Sequence, residues 1–208
     1  MPNWCENTLT IEGPNETLKK IKEFLQSENR PFDFNNVIPI PKELLVSAGS
    51  TGDSAYEILH EKGGWKRWME YEWVKKAGIK TKKQLVAFME KRHSSSKMPP
   101  DEGHENLGWR ELGNRYASNL KKYGAKNWYD WKVKNWGTKW NAGDDVDIGE
   151  GDGILEYTFD TAWSPPNPIA EALSFRFPDC IFILSYKEEG MGFAGSDTYG
   201  PVEEGVEA

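Results

Sequence analysis

Cysteine and long apolar runs are scarce in this chain of 208 residues. Its two cysteines, Cys5 and Cys180, stand far apart, so neither is half of a CxxC metal or redox motif. No apolar run approaches the ~18 residues that a membrane-spanning helix needs, so no membrane partner is expected. The N-terminal residues lack the basic and apolar segments of a signal peptide, which predicts a cytoplasmic protein with reduced, buried thiols.

Residues suited to catalysis or metal binding are equally sparse. The three histidines, His60, His93 and His104, have no HExxH spacing, so surface positions are expected for them. The glycine-rich run 190–195 follows a predicted strand but opens no helix, which argues against a dinucleotide-binding loop. The acidic run 144–152 lacks EF-hand spacing and is typical of a turn. We therefore expect no catalytic residue, no metal site and no cofactor.

Charge is distributed unevenly around an overall net charge of −7. Residues 62–126 hold 16 basic and 7 acidic residues, whereas residues 1–61 and 127–208 have net charges of −5 and −11. A basic middle between acidic flanks predicts an insertion with its own surface character. This surface is either a solvated lysine-rich helix face or a patch that attracts nucleic acid or an acidic partner. The residues of such a patch are Lys75, Lys76, Lys80, Lys82, Lys83, Lys91 and Arg92.

Several segments have the pattern of strands. Apolar and polar residues alternate over 5–11 and 155–161, and residues 180–186 form a continuous apolar run typical of a buried strand. Residues 138–141 are predicted to be extended. Residues 32–41 are also predicted to be extended, and their prolines exclude them from the centre of a sheet.

The helices complete a recognisable order of elements. A helix with Asn15 as its N-cap follows the first strand, and another helix begins at Ser164–Pro168. With the middle removed, the order is βαββαβ, which predicts a ferredoxin-like (split βαβ) α+β fold with both helices on one face of an antiparallel sheet. The predicted parts are the first strand and helix (1–50), a helical basic insertion (51–126), the remaining helix and strands (127–200) and an acidic, disordered tail (201–208).

The insertion has its own helical pattern. Residues 56–76 are predicted to be helical and to bend or divide at Gly63–Gly64. Thr81 and Gln84 have the spacing of a capping box at the start of a second helix. A third helix is predicted from about residue 107 to Tyr123, where Gly124 ends it.

Several longer blocks of the sequence resemble a known family. They are NWCENTL at 3–9, NWYDW at 127–131, NWGTKWN at 135–141, TAWSPP at 161–166 and EGMGFAG at 189–195. Together they resemble the YubB-like family of bacterial plasmid and phage proteins, which is described as carrying a ferredoxin-like domain. The resemblance implies that fold and a cytoplasmic protein of a mobile element, but no activity and no catalytic residues. "Ferredoxin-like" names a fold here, because two distant cysteines cannot supply the four thiolates of an iron–sulfur cluster.

Tryptophan is the most unusual feature of the composition, with ten in the chain. Trp65, Trp68 and Trp73 are predicted to form the core of the insertion. Core packing is the ordinary role of a single Trp, but a small sheet with two helices does not require so many indoles with interspersed amides. Such mixtures occur in stacking platforms and at protein interfaces. The candidate binding residues are Trp128, Trp131, Asn135, Trp136, Lys139, Trp140 and Trp163.

Four functions remain open from the sequence, and one of them is mimicry of nucleic acid by the acidic residues 127–208, which include 16 acids. The favoured hypothesis is a non-enzymatic accessory protein of a mobile element, whose aromatic surface contacts a host or element-encoded macromolecule, preferably a protein. The second is nucleic-acid binding through the basic patch, against which the net charge of −7 argues. The third is a small-molecule or nucleotide pocket, with or without catalysis, lined by Trp131, Trp136, Lys139 and Trp163.

Overall fold

The computed structural model describes residues 3–93 and 105–201, and it divides into two units. The first unit combines the segment that ends at Pro39 with the segment that begins at Lys132. The second unit is Ile40–Trp131. It is wider than the predicted insertion 51–126, because a change of charge marks a surface and not the limits of a packed core. His104 and residues 202–208 of the predicted tail lie outside the described residues.

The first unit contains a five-stranded antiparallel sheet with strand order β2-β3-β1-β4-β5. Its strands are β1 (Trp4–Glu12), β2 (Asp147–Gly151), β3 (Ile154–Ala162), β4 (Ile181–Glu188) and β5 (Phe193–Tyr199). The first four strands have the order of a ferredoxin-like sheet, with β1 between β3 and β4, so the predicted fold is confirmed. β5 extends that sheet by pairing with β4.

One face of the sheet forms the core. Cys5, Leu9 and Ile11 of β1 are buried, whereas the alternate positions Glu6 and Glu12 are exposed. Helices α1 (Asn15–Leu25) and α9 (Asn167–Arg176) contribute the apolar residues that cover this face. These buried helix residues are Leu18, Ile21 and Leu25 of α1, and Ile169, Ala170 and Leu173 of α9.

Three local predictions in the first unit are wrong. Residues 138–141 form bends and not a strand, while the second strand lies in the acidic run at Asp147–Gly151. Within 32–41, Phe34–Val37 is a short helix, α2, because the Asp33 carboxylate accepts a hydrogen bond from the Asn35 amide. Asn15 does not cap α1; its side-chain oxygen instead accepts from the Gly153 amide in the β2–β3 turn.

The glycine-rich run 190–195 lies in the β4–β5 hairpin, as expected for a segment that opens no helix. The buried carboxylate of Glu188 accepts hydrogen bonds from the backbone amides of Gly190 and Met191. A Cβ at Gly190 would overlap the exposed side chain of Asn3, which would have to move.

The second unit is helical. Its elements are a 3-10 turn (Lys42–Leu44), α3 (Ser50–His60), α4 (Gly64–Trp68), α5 (Glu72–Lys76), α6 (Lys82–His93) and α7 (Trp109–Tyr123). The predicted helix 56–76 is therefore three helices. The remaining helix, α8 (Trp128–Asn135), contains the division between the two units. Along the described chain, none of the helices combines the length and apolar character needed to cross a membrane.

Two predicted helix boundaries in the second unit are confirmed. Thr81 Oγ1 accepts a hydrogen bond from the Gln84 amide, and the Gln84 side chain accepts one from the Thr81 amide, which is a capping box. Gly124 follows α7 in the left-handed region, at φ 66°, and its amide donates to the Leu120 carbonyl. The predicted core tryptophans Trp65, Trp68 and Trp73 are partly buried against the apolar cluster of this unit.

Candidate functional site

Three tryptophans and a lysine form an aromatic group on the first unit. The ring centroids of Trp4 and Trp140 are 5.9 Å apart. The Lys139 ammonium lies 4.5 Å from the ring centroid of Trp140 and 5.1 Å from that of Trp163, so it stands in cation–π range of both. Trp4 keeps 45% of its surface exposed, which makes its indole available for contact with a ligand.

The backbone of Trp163 has a strained conformation that a hydrogen bond holds in place. Its φ of 71° makes it the one non-glycine residue with positive φ in the described part of the chain. A bulky residue in the left-handed region costs free energy and persists only where its surroundings hold it. The Trp163 amide donates a 3.0 Å hydrogen bond to the Asn3 carbonyl, which fixes this conformation beside the start of β1.

The loop that carries Lys139 and Trp140 is fixed to the end of β3. The Thr138 hydroxyl is buried and donates to the Ala162 carbonyl at 2.9 Å. The Ser164 hydroxyl donates to the Gly137 carbonyl at 2.6 Å. Because two side-chain bonds join the loop to β3 and the residues after it, the indoles are held in place before any ligand arrives.

Trp4 and Trp140 open onto a cleft of about 660 Å³, which we call the indole cleft. Charged groups of both signs line it, together with amides and backbone. Its other lining residues are Arg30, Asn35, Lys132, Asn141, Ala142, Gly143, Asp144, Asp145 and Asp160.

The cations of the indole cleft are Arg30 and Lys132. Burial, reinforced by the nearby charge of Arg30, lowers the pKa of Lys132 from 10.5 to about 8. The Lys132 ammonium lies 4.6 Å from the ring centroid of Trp136. The Arg30 guanidinium donates to the Ala142 carbonyl at 2.8 Å and pairs with Asp144 at 3.3 Å. Both cations are therefore anchored, which reduces the entropy lost when a ligand binds.

The acids of the cleft cluster around Asp160. Burial, together with the negative charges of Glu6 and Asp145, raises the pKa of Asp160. Within the described residues, no group of three or more His, Cys, Asp or Glu side chains is arranged to hold a metal ion. The indole cleft therefore offers aromatic, cationic and anionic surfaces side by side.

Asn141 supports the floor of the cleft. Its side-chain NH₂ donates to Asp33 at 2.8 Å, and its side-chain oxygen accepts from the Phe34 amide at 2.8 Å. Burial alone would raise the pKa of Asp33, but the hydrogen bonds from Asn141 and Asn35 outweigh it and lower the pKa. An ionised Asp33 thus fixes the loop after Trp140 to the start of α2.

The structure divides the predicted aromatic site. Trp131 and Trp136 are 6% and 0% exposed, and the Trp136 indole N–H donates to the Ile38 carbonyl at 2.8 Å. The prediction that these two residues belong to a contact surface is wrong, because their indole rings are buried. Trp128, which is half-buried, belongs with Trp131 to the second unit, whereas Asn135 is half-buried in the first.

Lys139, Trp140 and Trp163 are the predicted site residues that the structure brings together. Sequence reasoning missed Trp4, Arg30 and Lys132, which complete the aromatic group and the cleft. Trp4 could have been found from the sequence, because it lies in the NWCENTL block at 3–9 that contributes to the family resemblance. Arg30 stands in no comparable block, so its position in the cleft followed only from the fold.

The predicted basic patch lies on α5, α6 and the turn between them, within the second unit. Lys82 is half-buried and donates to the Leu59 carbonyl, while Lys75 lies 3.8 Å from both Glu70 and Glu72. Arg92 is exposed and lies 5.6 Å from the ring centroid of Trp73. The remaining members, Lys76, Lys80, Lys83 and Lys91, are exposed.

Residues 135–206 match the family model of a ferredoxin-like domain in Api92-like protein. The matched segment contains β2 to β5 and α9, so the sequence comparison and the observed sheet agree on a ferredoxin-like domain. The chain is also 33% identical over 78 residues to the Escherichia coli (strain K12) protein named "Uncharacterized protein YubB". This match covers 36% of the chain and 53% of that relative, about half of its length.

One solved structure is similar over most of the chain. The crystal structure of a protein api92 from Yersinia pseudotuberculosis aligns with 96% of this chain and 95% of its own, with 16% identity and a TM-score of 0.49.

Proposed function

We propose that this chain is a binding protein whose indole cleft holds a segment of a partner polypeptide. The observation that carries this proposal is the exposed, paired indole of Trp4 at the mouth of a cleft whose loop is already fixed. Tryptophan and arginine are the residues that most often dominate the binding energy of protein interfaces. Trp4, Trp140 and Arg30 supply that combination at one place.

The charges of the cleft favour a polypeptide over a nucleic acid. Asp144, Asp145 and Asp160 line the same cleft as Arg30 and Lys132. A polyanion would meet repulsion from the three carboxylates, whereas a protein segment can present basic side chains to them and acidic ones to the cations. A segment with charges of both signs and one aromatic or proline residue is the ligand that fits this lining.

We also propose where this protein meets its partner. The resemblance to YubB-like proteins implies a plasmid or phage origin and a cytoplasmic location. The partner is then a protein of the bacterial host or of the mobile element itself.

Site-specific photo-crosslinking tests the proposal. A photoreactive phenylalanine analogue replaces Trp4 in one variant and Phe175 in the control variant, and each is irradiated in an Escherichia coli lysate. Phe175 is the matched control because it lies on α9 of the same unit and is 79% exposed. We expect a discrete crosslinked protein from position 4 and not from position 175, with a crosslinked peptide that carries charges of both signs.

The result that would overturn the proposal is equal crosslinking from both positions, or a position-4 adduct with nucleic acid in place of protein. The identified partner also permits a second check with purified components. Trp140→Ala must then weaken its binding, because removal of this indole leaves Trp4 without its neighbour.

A further inference from the structure

One face of the sheet in the first unit is open to solvent. Helices α1 and α9 cover the other face, on which the β1 residues Cys5, Leu9 and Ile11 are buried. Residues that are paired across neighbouring strands point to the same side of a sheet, so they stand side by side in rows. On the open face, one row from β3 to β4 contains Asp160, Glu6 and Lys187. The next row, from β2 to β4, contains Asp147, Thr158, Thr8 and Ser185.

These two rows differ in the length of their side chains, and the difference forms a trough. The second row consists mainly of short hydroxyl side chains, whereas Glu6 and Lys187 of the first row are long. A hollow of about 500 Å³ lies over both rows, and Asp145 also lines it. We call this hollow the sheet trough. Its charged residues are exposed, so a ligand can reach them from solvent.

The sheet trough has a negative charge. The acids that line it are Glu6, Asp145, Asp147 and Asp160. Lys187 lines it too, but its ammonium is paired with Glu189 at 2.6 Å. In the described ranges 3–93 and 105–201, none of the four acids forms an ion pair. A ligand that complements this surface is therefore cationic.

The acids of the trough also repel one another. Burial raises the pKa of Asp160, and the charges of Glu6 and Asp145 raise it further. The acids are spread over the trough, because Glu6 is on β1, Asp147 on β2 and Asp160 on β3. Among the described residues, no group of three or more His, Cys, Asp or Glu side chains is arranged around a metal position. Several separate cationic groups, as a basic polypeptide presents, match this arrangement better than one metal ion does.

We propose that the sheet trough binds a basic stretch of the same polypeptide that occupies the indole cleft. Asp145 and Asp160 line both cavities, so one extended chain can pass from the cleft into the trough without leaving the surface. The inference rests on the proposed function and adds the charge of the part of the partner that lies beyond the cleft. A polyanion does not fit the trough, because its four carboxylates would repel it.

The width of the sheet sets the length of the basic stretch. The row from Asp147 to Ser185 crosses from β2 to β4, which is about 14 Å at about 4.8 Å between neighbouring strands. An extended chain advances about 3.3 Å per residue, so about four or five residues cover this row. Every second side chain of an extended chain points to the same side, so two or three lysines or arginines at alternate positions can face the acids.

NMR titration of the whole, isotope-labelled chain with two synthetic peptides tests the inference. Both peptides have about six residues; one alternates lysine with serine and the other alternates glutamate with serine. We expect the lysine peptide to shift the amide signals of Thr8, Thr158 and Ser185, and the glutamate peptide to leave them unchanged. The double variant Glu6→Gln with Asp147→Asn removes two acids that line the trough and not the indole cleft. It should raise the dissociation constant of the lysine peptide at least about fivefold.

The matched control is Glu16→Gln with Glu23→Gln, which changes the net charge equally at two exposed positions of α1. It should leave the dissociation constant within about twofold of the parent, because α1 covers the other face and salt screens charges farther apart than about 8 Å. Thermal melting by circular dichroism establishes that both double variants are folded. The inference is overturned if the lysine peptide leaves the trough signals unchanged, if the glutamate peptide binds as tightly, or if the control weakens binding as much as the trough variant.

Crosslinking separates this inference from the proposed function. The photoreactive analogue is placed at Ser185 in the trough, and its adducts in the same lysate are compared with those from position 4. We expect the same protein from both positions, and from position 185 a crosslinked peptide rich in lysine and arginine. A partner at position 4 with no adduct at position 185 would overturn the inference and leave the proposed function intact. Absence of a partner at position 4, with the lysine peptide still bound in the trough, would overturn the proposed function and the link between the two cavities.

Discussion

The indole rings of Trp4 and Trp140 lie 5.9 Å apart at an interplanar angle of 44°. One belongs to the first strand and the other to the loop that follows α8, so only the folded sheet brings them together. Their pairing leaves Trp4 exposed at the mouth of a cleft that holds Arg30, Lys132 and three carboxylates. The function we propose depends on this pair.

The close approach of α3 and α7 can be tested by adding one methyl group. A Cβ at Gly113 would lie 2.8 Å from the Cβ of Ala55 and 2.9 Å from its carbonyl carbon. We expect Gly113→Ala to lower the free energy of unfolding by about 1–3 kcal/mol, because the methyl group overpacks the contact. Glycine-to-alanine changes inside helices ordinarily stabilise, so the sign is diagnostic.

Urea denaturation measures the Gly113→Ala effect. Ser118→Ala on the exposed side of the same helix is the matched control, and we expect it to leave stability unchanged or slightly raised. If Gly113→Ala were as stable as this control, the two helices could not be packed as closely as described.

Two buried tyrosines should make the folded protein less stable at alkaline pH. Burial raises the pKa of Tyr116 and of Tyr157 from 10 to about 12. Their raised folded-state pKa contributes stability that is complete below pH 10 and is lost as the pH rises from about 10 to about 12. Each phenol adds about 1.4 kcal/mol per pH unit to this loss of stability. Removal of either hydroxyl should therefore make the free energy of unfolding fall less steeply between about pH 10 and about pH 12.

The same two tyrosines should differ at neutral pH. The Tyr116 hydroxyl donates to the Ser47 carbonyl at 2.6 Å, whereas the Tyr157 hydroxyl is buried without a partner among the described residues. Tyr116→Phe should therefore cost about 1 kcal/mol, and Tyr157→Phe should be neutral or stabilising. Urea denaturation at pH 7 and pH 11 checks both statements, and equal losses at pH 7 would count against the assigned hydrogen bonds.

Lys132 should make the free energy of unfolding depend on pH in the opposite direction. Its folded-state pKa of about 8 lies below the ordinary 10.5, so the unfolded chain binds more protons between these values. The cost of its buried charge is complete below pH 8 and disappears as the pH approaches 10. We expect Lys132→Met to be more stable than the parent at pH 7, with an advantage that shrinks by about 1–2 kcal/mol at pH 10.

NMR titration of the lysine ε-methylene groups measures the pKa of Lys132 directly. The signal that titrates near pH 8 must disappear in Lys132→Met and persist in Lys134→Met, where the lysine is exposed on the same helix. A lysine spectrum with no titration below pH 9.5 would show that the Lys132 ammonium is not buried.

The sheet could be predicted because its strands are buried on one side. β1 and β3 alternate between buried and exposed residues, and alternation in the sequence reports that burial. All five residues of β2 are exposed, so no alternation marks this strand and its glycines and acids resemble a turn. β5 was missed because it has no fully buried residue and begins in the glycine-rich run.

The candidate site could be predicted only in part. Lys139, Trp140 and Trp163 were candidates because a dense group of indoles and cations is unusual in any sequence, and in the structure the Lys139 ammonium lies near both rings. Composition could not separate the fully buried Trp136 from the half-buried Trp140, because both are indoles next to amides in one block. Which of the two indoles is buried depends on which ring the sheet and α2 cover, and that is a property of the tertiary fold.

The affinity of the crosslinked partner protein for Trp4→Ala and Phe175→Ala is the decisive test of binding at the indole cleft. Calorimetry with purified components gives both dissociation constants against the parent. We expect Trp4→Ala to raise the dissociation constant at least tenfold, about 1.4 kcal/mol or more, and Phe175→Ala to stay within twofold of the parent. An unchanged dissociation constant for Trp4→Ala, or an equal rise for Phe175→Ala, would contradict it.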